Sequence, residues 1–224
     1  IAGAEKLKAS TREKWMSKFG VRIFEGYGVT ETSPALSINN YSHYKEGTVG
    51  RLFPGIEARL ENVPGIDHGG RLFVKGENIM LGYLKADAPG ELHPPEDQWH
   101  DTGDIVDIDD EGFITILGRA KRFAKIGGEM VSLTNVEEWV SSLWPHEQHC
   151  VCAVTDERKG EKLVLVTTHQ NAARKEILDY FSERGGNEMM VPREILVLKE
   201  IPVLGTGKLN YPEIQNLANK HYAS

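Results

Sequence analysis

The stretch Gly118-Arg119-Ala120-Lys121 divides this chain into two halves with different patterns of predicted secondary structure. Before it, short segments with strand-like alternation are separated by glycine and proline, which is typical of antiparallel strands joined by turns. After it, segments with strand and helix periodicity follow one another, as in a compact α+β domain. We therefore predict an α+β fold with a β-rich part over residues 1–118 and a smaller part over residues 119–224.

Local signals place the elements of the first half. Ser10 and Glu13 match a capping box, which predicts a helix ending at Phe19. The residues expected on its apolar side are Leu7, Trp15, Met16 and Phe19. The predicted strands are residues 21–24, 50–53, 56–60 and 71–74, followed by a hairpin that turns at residues 109–112.

The second half shows three helical and three strand-like segments. The predicted helices are residues 134–143, 172–184 and a last one from 212, and the predicted strands are 150–154, 162–168 and 194–198. Cys150 and Cys152 alternate within one strand, so both side chains point the same way. We interpret them as a buried apolar pair, because no second cysteine pair or suitably spaced histidine completes a zinc ligand set.

Composition limits the class of protein. The 224 residues are 40% hydrophobic with a net charge of -7, which argues against a general nucleic-acid binder. Through residue 120 the chain has 19 acidic against 13 basic side chains, and afterwards 14 against 13. No apolar run approaches the roughly 20 residues that span a bilayer. The chain starts at Ile1 without methionine or signal peptide, so we expect a soluble, cytosolic fragment of a longer protein.

Two motifs indicate the chemistry. They are Glu25-Gly26-Tyr27-Gly28-Val29-Thr30-Glu31 and Trp99-His100-Asp101-Thr102-Gly103-Asp104. Together they offer an aromatic face, a hydroxyl, a carboxylate for a divalent cation and a carboxylate for a sugar diol, which suit an ATP site. Taken alone, Tyr27 is equally well explained as a turn residue packed on the β-rich part, and Thr30 with Glu31 as a helix cap.

Four motifs, in their order and spacing, resemble those of the adenylate-forming enzymes over nearly the whole chain. They are Gly26-Tyr27-Gly28-Val29-Thr30-Glu31, Thr102-Gly103-Asp104, Gly118-Arg119-Ala120-Lys121 leading to Lys125-Ile126-Gly127-Gly128-Glu129, and Pro202 followed by Gly205-Thr206-Gly207-Lys208. The resemblance implies the end of a large AMP-binding domain, with an antiparallel, barrel-like β subdomain, followed by a mobile lid domain. It also implies binding of ATP or AMP.

The resemblance assigns a nucleotide role to several residues of the first half. Tyr27 would stack on adenine, and the neighbouring Gly28 would let the backbone pass close to the ligand. Asp104 would accept hydrogen bonds from both ribose hydroxyls. Arg119 would add a fixed fork of donors near the ribose or phosphate. The acidic residues 107–111 are instead interpreted as a solvated turn.

Catalysis is assigned by the same resemblance to three residues. Thr30 would hydrogen-bond a phosphate, and Glu31 would hold Mg²⁺. Lys208 would place its ammonium between the acyl carboxylate and the α-phosphate, with a solvated loop lysine as the alternative. The turn around Lys208 lacks the earlier glycine and following Ser/Thr of a phosphate-binding P-loop. Asn210 and Tyr211 depart from the arginine often found after this lysine.

The family places a hinge at Lys121, about which the lid would swing to present residues 125–130 for thioester formation. Lys125 is accordingly expected at the cofactor. Arg119, Lys121, Arg122 and Lys125 put four positive charges into seven residues. Such a patch could attract an acidic acyl carrier protein or coenzyme A phosphates, and a solvated loop face is an equal alternative.

Within the family, residues 3–7, 11–15 and 119–132 resemble the C-terminal part of the bifunctional 2-acylglycerophosphoethanolamine acyltransferase/acyl-carrier-protein synthetases of Gram-negative bacteria. That resemblance implies a long-chain fatty acid substrate, an acyl carrier protein acceptor, a lysophospholipid acceptor served by upstream domains, and attachment to the cytoplasmic face of the inner membrane. A long-chain acyl-CoA synthetase and a non-catalytic carrier-protein docking module remain as alternatives. The family's upstream Ser/Thr/Gly-rich loop and a His-x4-Asp acyltransferase motif are missing here, so we expect this chain alone to be inactive.

Overall fold

The computed structural model describes residues 1–156 and 160–222, which combine helices and sheets. The predicted α+β class is therefore confirmed. The chain forms two units, Ile1–Ala120 and Lys121–Ser224. Their assignment to an adenylating domain and a lid domain stays a prediction. Within the described residues, no helix is both long and apolar enough to cross a membrane.

The first unit has one helix and nine strands, most of them short. In chain order they are α1 (Ala9–Phe19), β1 (Gly26–Tyr27), β2 (Ser37–Ile38), β3 (Arg51–Leu52), β4 (Glu57–Glu61), β5 (Gly70–Lys75), β6 (Tyr83–Leu84), β7 (Leu92–His93), β8 (His100–Ile108) and β9 (Ile114–Arg119). They form antiparallel sheets of order β1-β2-β3, β4-β5-β8-β9 and β6-β7.

Alternation along the strands builds the core of this unit. On β5, Leu72 and Val74 are fully buried, while the alternate residues Arg71, Phe73 and Lys75 are only partly buried. They pack with Val106 of β8 and Ile114 of β9. The predicted hairpin between β8 and β9 is present, and the Asp109 carboxylate accepts backbone N–H bonds from within its turn, at 3.0 and 2.9 Å.

Two local predictions in the first unit are wrong. Helix α1 begins after Lys8 with no side-chain cap, so Ser10 lies inside the helix and no capping box forms. Its aromatic residues Trp15 and Phe19 are 45% and 56% exposed, and no residue of the helix is buried. Residues 21–24 form no strand. Gly20 in the left-handed conformation ends the helix, and ladder pairing starts only at the bridge between residues 2 and 25.

In its described residues, the second unit packs three α-helices against the two faces of one sheet. Its elements are β10 (Phe123–Ile126), β11 (Glu129–Ser132), α2 (Leu133–Leu143), β12 (His149–Asp156), β13 (Gly160–Thr167), α3 (Arg174–Glu183), β14 (Glu194–Val197) and α4 (Tyr211–Tyr222). The sheet order is β11-β10-β13-β12, with β14 paired in parallel to β13. Ser132 caps α2 by accepting the Asn135 N–H at 3.3 Å.

The two faces of this sheet bury different helices. Val151 and Leu165 face α2 and α3. The fully buried Phe181 of α3 packs in the same hydrophobic cluster. Cys150 and Cys152 point to the opposite face and pack with residues of α4. Both thiols are buried, as the alternation predicts. Among the described residues, no group of three or more His, Cys, Asp or Glu side chains is arranged to hold a metal.

Candidate functional site

Three residues that the sequence singles out meet at one buried carboxylate. Tyr27 of β1 donates its hydroxyl to Asp104 Oδ2 at 2.6 Å. Arg119 Nε lies 2.8 Å from the other oxygen, Asp104 Oδ1, and the β8–β9 ladder places these two residues opposite each other. The Asp104 side chain is only 3% exposed, whereas that of Arg119 is 58% exposed. The carboxylate therefore forms the centre of a network whose Arg119 edge reaches solvent.

The backbone around Asp104 is held by its neighbour Thr102. The Thr102 hydroxyl donates to the Leu72 carbonyl at 2.9 Å and accepts the Asp104 N–H at 3.2 Å. The Thr102 carbonyl in turn accepts from Arg119 Nη1 at 3.3 Å. Sequence reasoning quoted Thr102 within its motif but gave it no role. Its contacts position both ends of the Asp104–Arg119 pair.

Burial controls protonation in this network. It raises the pKa of Asp104, while the Tyr27 hydrogen bond and the Arg119 charge oppose that rise. Burial also raises the pKa of Tyr27 far above its usual range, and the adjacent Asp104 charge adds to the effect. Tyr27 therefore remains a neutral hydrogen-bond donor. Its ring packs in the apolar core of this unit, and the residue is 8% exposed. The stacking of Tyr27 on adenine stays a prediction.

A tight turn follows β1 and carries Thr30 and Glu31. A Cβ atom on Gly28 would lie 1.8 Å from the Pro34 carbonyl oxygen, so this close approach requires glycine. The Thr32 hydroxyl donates within the turn to the carbonyls of Val29 and Pro34, both at 2.9 Å. Residues 30–32 then form a single 3-10 turn. Thr30 is exposed at its start, and Glu31 is partly exposed.

Glu31 is held as an ionised carboxylate. The Tyr83 hydroxyl donates to Glu31 Oε1 at 2.8 Å, and this bond is the main cause of the lowered pKa of Glu31. The positive charge of Arg119 lies close enough to lower that pKa further. A hard cation such as Mg²⁺ usually binds proteins through one or two carboxylates plus substrate phosphates. The oxygen donors of Glu31 and Thr30 fit that requirement.

Tyr83 is the residue of this site that sequence reasoning missed. It lies on the short strand β6, more than fifty positions from Glu31. The surrounding Gly82-Tyr83-Leu84 has no periodicity or motif that would assign it to Glu31. Only the pairing of chain segments brings the phenol and the carboxylate together.

The predicted residues of the second unit lie on its exposed loops and strands. Lys121 is exposed in the 3-10 turn Ala120–Arg122. Lys125 is exposed on β10, where its backbone N–H donates to Glu161 Oε2 at 2.5 Å. Lys208 lies in an exposed turn closed by the Leu204 N–H, which donates to the Lys208 carbonyl at 2.7 Å. Their predicted roles stay predictions.

Arg122 does not belong to the predicted basic patch. Its side chain is only 14% exposed, pairs with Glu137 of α2, and donates from Nη1 to the Val151 carbonyl at 3.0 Å. It also lies 4.3 Å from the centroid of the Tyr211 ring. Burial disfavours the charge, but Glu137 outweighs it and raises the pKa of Arg122. Of the predicted patch residues in the second unit, Lys121 and Lys125 are exposed.

Comparison with known sequences finds relatives that are named as ligases. Residues 1–84 match the family described as AMP-binding enzyme. The long-chain-fatty-acid–CoA ligase of Salmonella typhimurium is 31% identical over 215 residues, covering 92% of this chain and 38% of that protein. The 2-succinylbenzoate–CoA ligase of Staphylococcus epidermidis is 27% identical over 219 residues, covering 96% of this chain and 45% of that protein. The chain thus spans less than half the length of these curated relatives.

Comparison with solved structures agrees on the fold. The ATP-bound MatB of Rhodopseudomonas palustris matches with a TM-score of 0.81 and 24% identity, covering 98% of this chain and 45% of that one. The O-succinylbenzoate coenzyme A synthetase of Bacillus subtilis, in complex with ATP and a magnesium ion, matches with a TM-score of 0.76 and 25% identity. That match covers 92% of this chain and 44% of the synthetase.

Proposed function

Because the chain belongs to the adenylate-forming superfamily of AMP-binding enzymes, we propose that it is the C-terminal part of an ATP-dependent acid–thiol ligase for long-chain fatty acids. The named activities of the curated relatives support the acid–thiol ligase class. The observation that carries the proposal is the buried Asp104 carboxylate, bound by Tyr27 and Arg119 in the same unit as the Glu31 turn.

The nucleoside half of the site is assigned to the Asp104 network. Each carboxylate oxygen accepts one hydrogen bond within the chain, and a carboxylate has about four acceptor positions in total. The remaining positions suit the two hydroxyls of a ribose. Tyr27 and Arg119 orient the carboxylate for this contact, and Gly28 keeps the backbone close enough to approach the base.

The phosphate half is assigned to the turn that follows Gly28. The exposed Thr30 hydroxyl would donate to a phosphate oxygen, and the ionised Glu31 would hold Mg²⁺. When bound, the cation would neutralise phosphate charge as the reaction proceeds. Lys208 is proposed to stabilise the negative charge that develops between the acyl carboxylate and the α-phosphate.

The proposed reaction has two steps. A carboxylate oxygen of the fatty acid bonds to the α-phosphorus of ATP, and the bond to pyrophosphate breaks. The sulfur of a thiol then bonds to the acyl carbon, AMP leaves, and the thiol proton passes to solvent or to a base. Lys121 is proposed as the hinge residue and Lys125 as a contact of the second step.

The thiol acceptor distinguishes two forms of this function. The motif resemblance at residues 3–7, 11–15 and 119–132 favours an acyl carrier protein, with later acyl transfer to a lysophospholipid at the inner membrane. The relatives named as CoA ligases favour coenzyme A instead. Both acceptors carry the same phosphopantetheine thiol, so the residues assigned above serve either.

The test uses the full-length protein with ATP, Mg²⁺ and a long-chain fatty acid, and offers holo-acyl carrier protein and coenzyme A in parallel. Mass spectrometry identifies the thioester, and AMP release is measured separately. We expect Lys208→Ala to lower AMP release by at least about a hundredfold, because a charge-stabilising group is typically worth about 10²–10³ in kcat. The matched control is Lys199→Ala, at another exposed lysine of the same unit.

The products separate the alternatives. A thioester on the carrier protein alone supports the carrier-protein form, and acyl-CoA alone supports the coenzyme A form. Absence of AMP release with either acceptor would contradict the ligase assignment in favour of a docking module. Full activity of Lys208→Ala would contradict the role proposed for Lys208.

A further inference from the structure

The segment between β5 and β6 is hydrogen-bonded to the turn that carries Glu31. Asn78 Nδ2 donates to the carbonyls of Thr32 and Ala35, at 2.8 and 3.1 Å. The Met80 N–H donates to the Glu31 carbonyl at 2.8 Å. Three hydrogen bonds therefore hold the backbone of this turn, and none of them involves the Glu31 side chain.

A fourth bond, from the first residue of β6, reaches the Glu31 side chain. The Tyr83 hydroxyl donates to Oε1 at 2.8 Å, a normal length for a hydrogen bond to a carboxylate. One hydrogen bond to Oε1 leaves acceptor capacity on the carboxylate for another ligand. Just before Tyr83, Gly82 lies close to the paired strand β7, where a Cβ atom would be 2.5 Å from the His93 carbonyl oxygen.

We propose that Tyr83 is a positioning residue, which fixes the orientation of the Glu31 carboxylate that would hold the Mg²⁺ accompanying ATP. This inference rests on the proposed function, because it takes Glu31 as the metal ligand. Groups that hydrogen-bond a metal-binding carboxylate fix its orientation, and their loss typically costs about 10–100-fold in metal affinity. Tyr83 makes a hydrogen bond of this kind to the Glu31 carboxylate.

A purely structural role explains this bond poorly. Tyr83 is 48% exposed, and hydrogen bonds near the surface add little net stability. The turn is already held through its backbone by Asn78 and Met80. Loss of one phenol hydroxyl should therefore leave folding nearly unchanged while it frees the Glu31 side chain to rotate.

The experiment compares the wild-type full-length protein with Tyr83→Phe, which keeps the ring and removes the donor. Mn²⁺ replaces Mg²⁺, and electron paramagnetic resonance measures free Mn²⁺ in the presence of a non-hydrolysable ATP analogue. We expect Tyr83→Phe to weaken Mn²⁺ binding by about tenfold with an unchanged midpoint of thermal unfolding. Tyr41→Phe is the matched control, at a tyrosine of the same unit that is 88% exposed.

A double-mutant cycle with Glu31→Gln decides the mechanism. The effect of Tyr83→Phe should vanish on the Glu31→Gln background, because the orienting bond then has no carboxylate to act on. Equal Mn²⁺ affinity of Tyr83→Phe and wild type, or an undiminished effect on that background, would overturn the inference and leave the proposed function intact. Mn²⁺ binding that does not depend on Glu31 would overturn both the metal assignment and the inference.

Discussion

Asp104 illustrates how a single side chain is tuned by its surroundings. Burial alone would favour its protonated form, because a charge loses the stabilisation of water. The Tyr27 hydroxyl and the Arg119 guanidinium restore part of that stabilisation through hydrogen bonds of 2.6 and 2.8 Å. The result is a carboxylate whose orientation is fixed by two donors and whose remaining acceptor positions serve the proposed ligand.

The protonation of Tyr27 leads to a prediction about alkaline stability. The folded chain keeps a proton on Tyr27 that the unfolded chain releases above about pH 10. Its contribution to the free energy of unfolding is therefore complete below that pH and is lost as the pH rises, by about 1.4 kcal/mol per pH unit. We expect Tyr27→Phe to reduce this slope by that amount.

Urea unfolding between about pH 9 and 11 measures the two slopes. Tyr41→Phe, at an exposed tyrosine, should keep the wild-type slope. Tyr83, Tyr211 and Tyr222 also have raised pKa values and leave a residual slope in every variant. Identical slopes for wild type and Tyr27→Phe would show that the buried hydroxyl titrates normally.

At the scale of elements, one largely buried ion pair stabilises the start of the second unit. Arg122, in the turn just before β10, contacts α2 through Glu137, β12 through the Val151 carbonyl, and α4 through the Tyr211 ring. Glu137 also accepts the Val151 N–H at 2.7 Å. One pair of side chains therefore ties four elements together directly after Lys121.

Removing one partner of this pair should be costly. We expect Glu137→Gln to lower the free energy of unfolding of the second unit by about 3–5 kcal/mol, because the Arg122 charge is left buried without its partner. Replacing both residues with apolar ones, as Arg122→Met with Glu137→Leu, should restore much of the loss. Denaturant titration measures the effect, with Glu183→Gln at an exposed glutamate of α3 as the control. A loss below about 1 kcal/mol, the range of surface pairs, would contradict the assignment.

Sequence patterns predicted these elements unevenly, for a physical reason. The hairpin at Asp109 and the strands around Cys150 follow from turn chemistry and alternation, which act over a few residues. The capping box at Ser10 failed because Lys8 starts helix α1 earlier. Arg122 was assigned to a surface patch because its sequence neighbours are basic, whereas its partner Glu137 lies fifteen positions away on another element.

At the scale of the whole molecule, each unit has a core of its own. The first unit packs Leu36, Leu72 and Val106 within its sheets. The second unit fills both faces of one sheet, with Phe181 on one side and Ile214 on the other. A unit with a complete core can in principle fold alone.

We therefore expect residues 121–224, expressed separately, to fold. Circular dichroism should show mixed helix and strand content, and thermal unfolding should be one cooperative transition. Its two buried thiols, Cys150 and Cys152, should react with a thiol reagent only after denaturation. A gradual melt with freely reactive thiols would mean that this unit depends on the rest of the chain.

The sequence by itself determined the α+β class, the most regular strands and helices, and the motifs that resemble those of the adenylate-forming superfamily. These features depend on local periodicity and on short runs of residues with a defined chemistry. Only the tertiary structure decided that Tyr27 and Arg119 share Asp104, that Tyr83 holds Glu31, and that Arg122 is largely buried against Glu137. Those contacts join segments distant in sequence, and strand pairing and burial bring them together without a local signal.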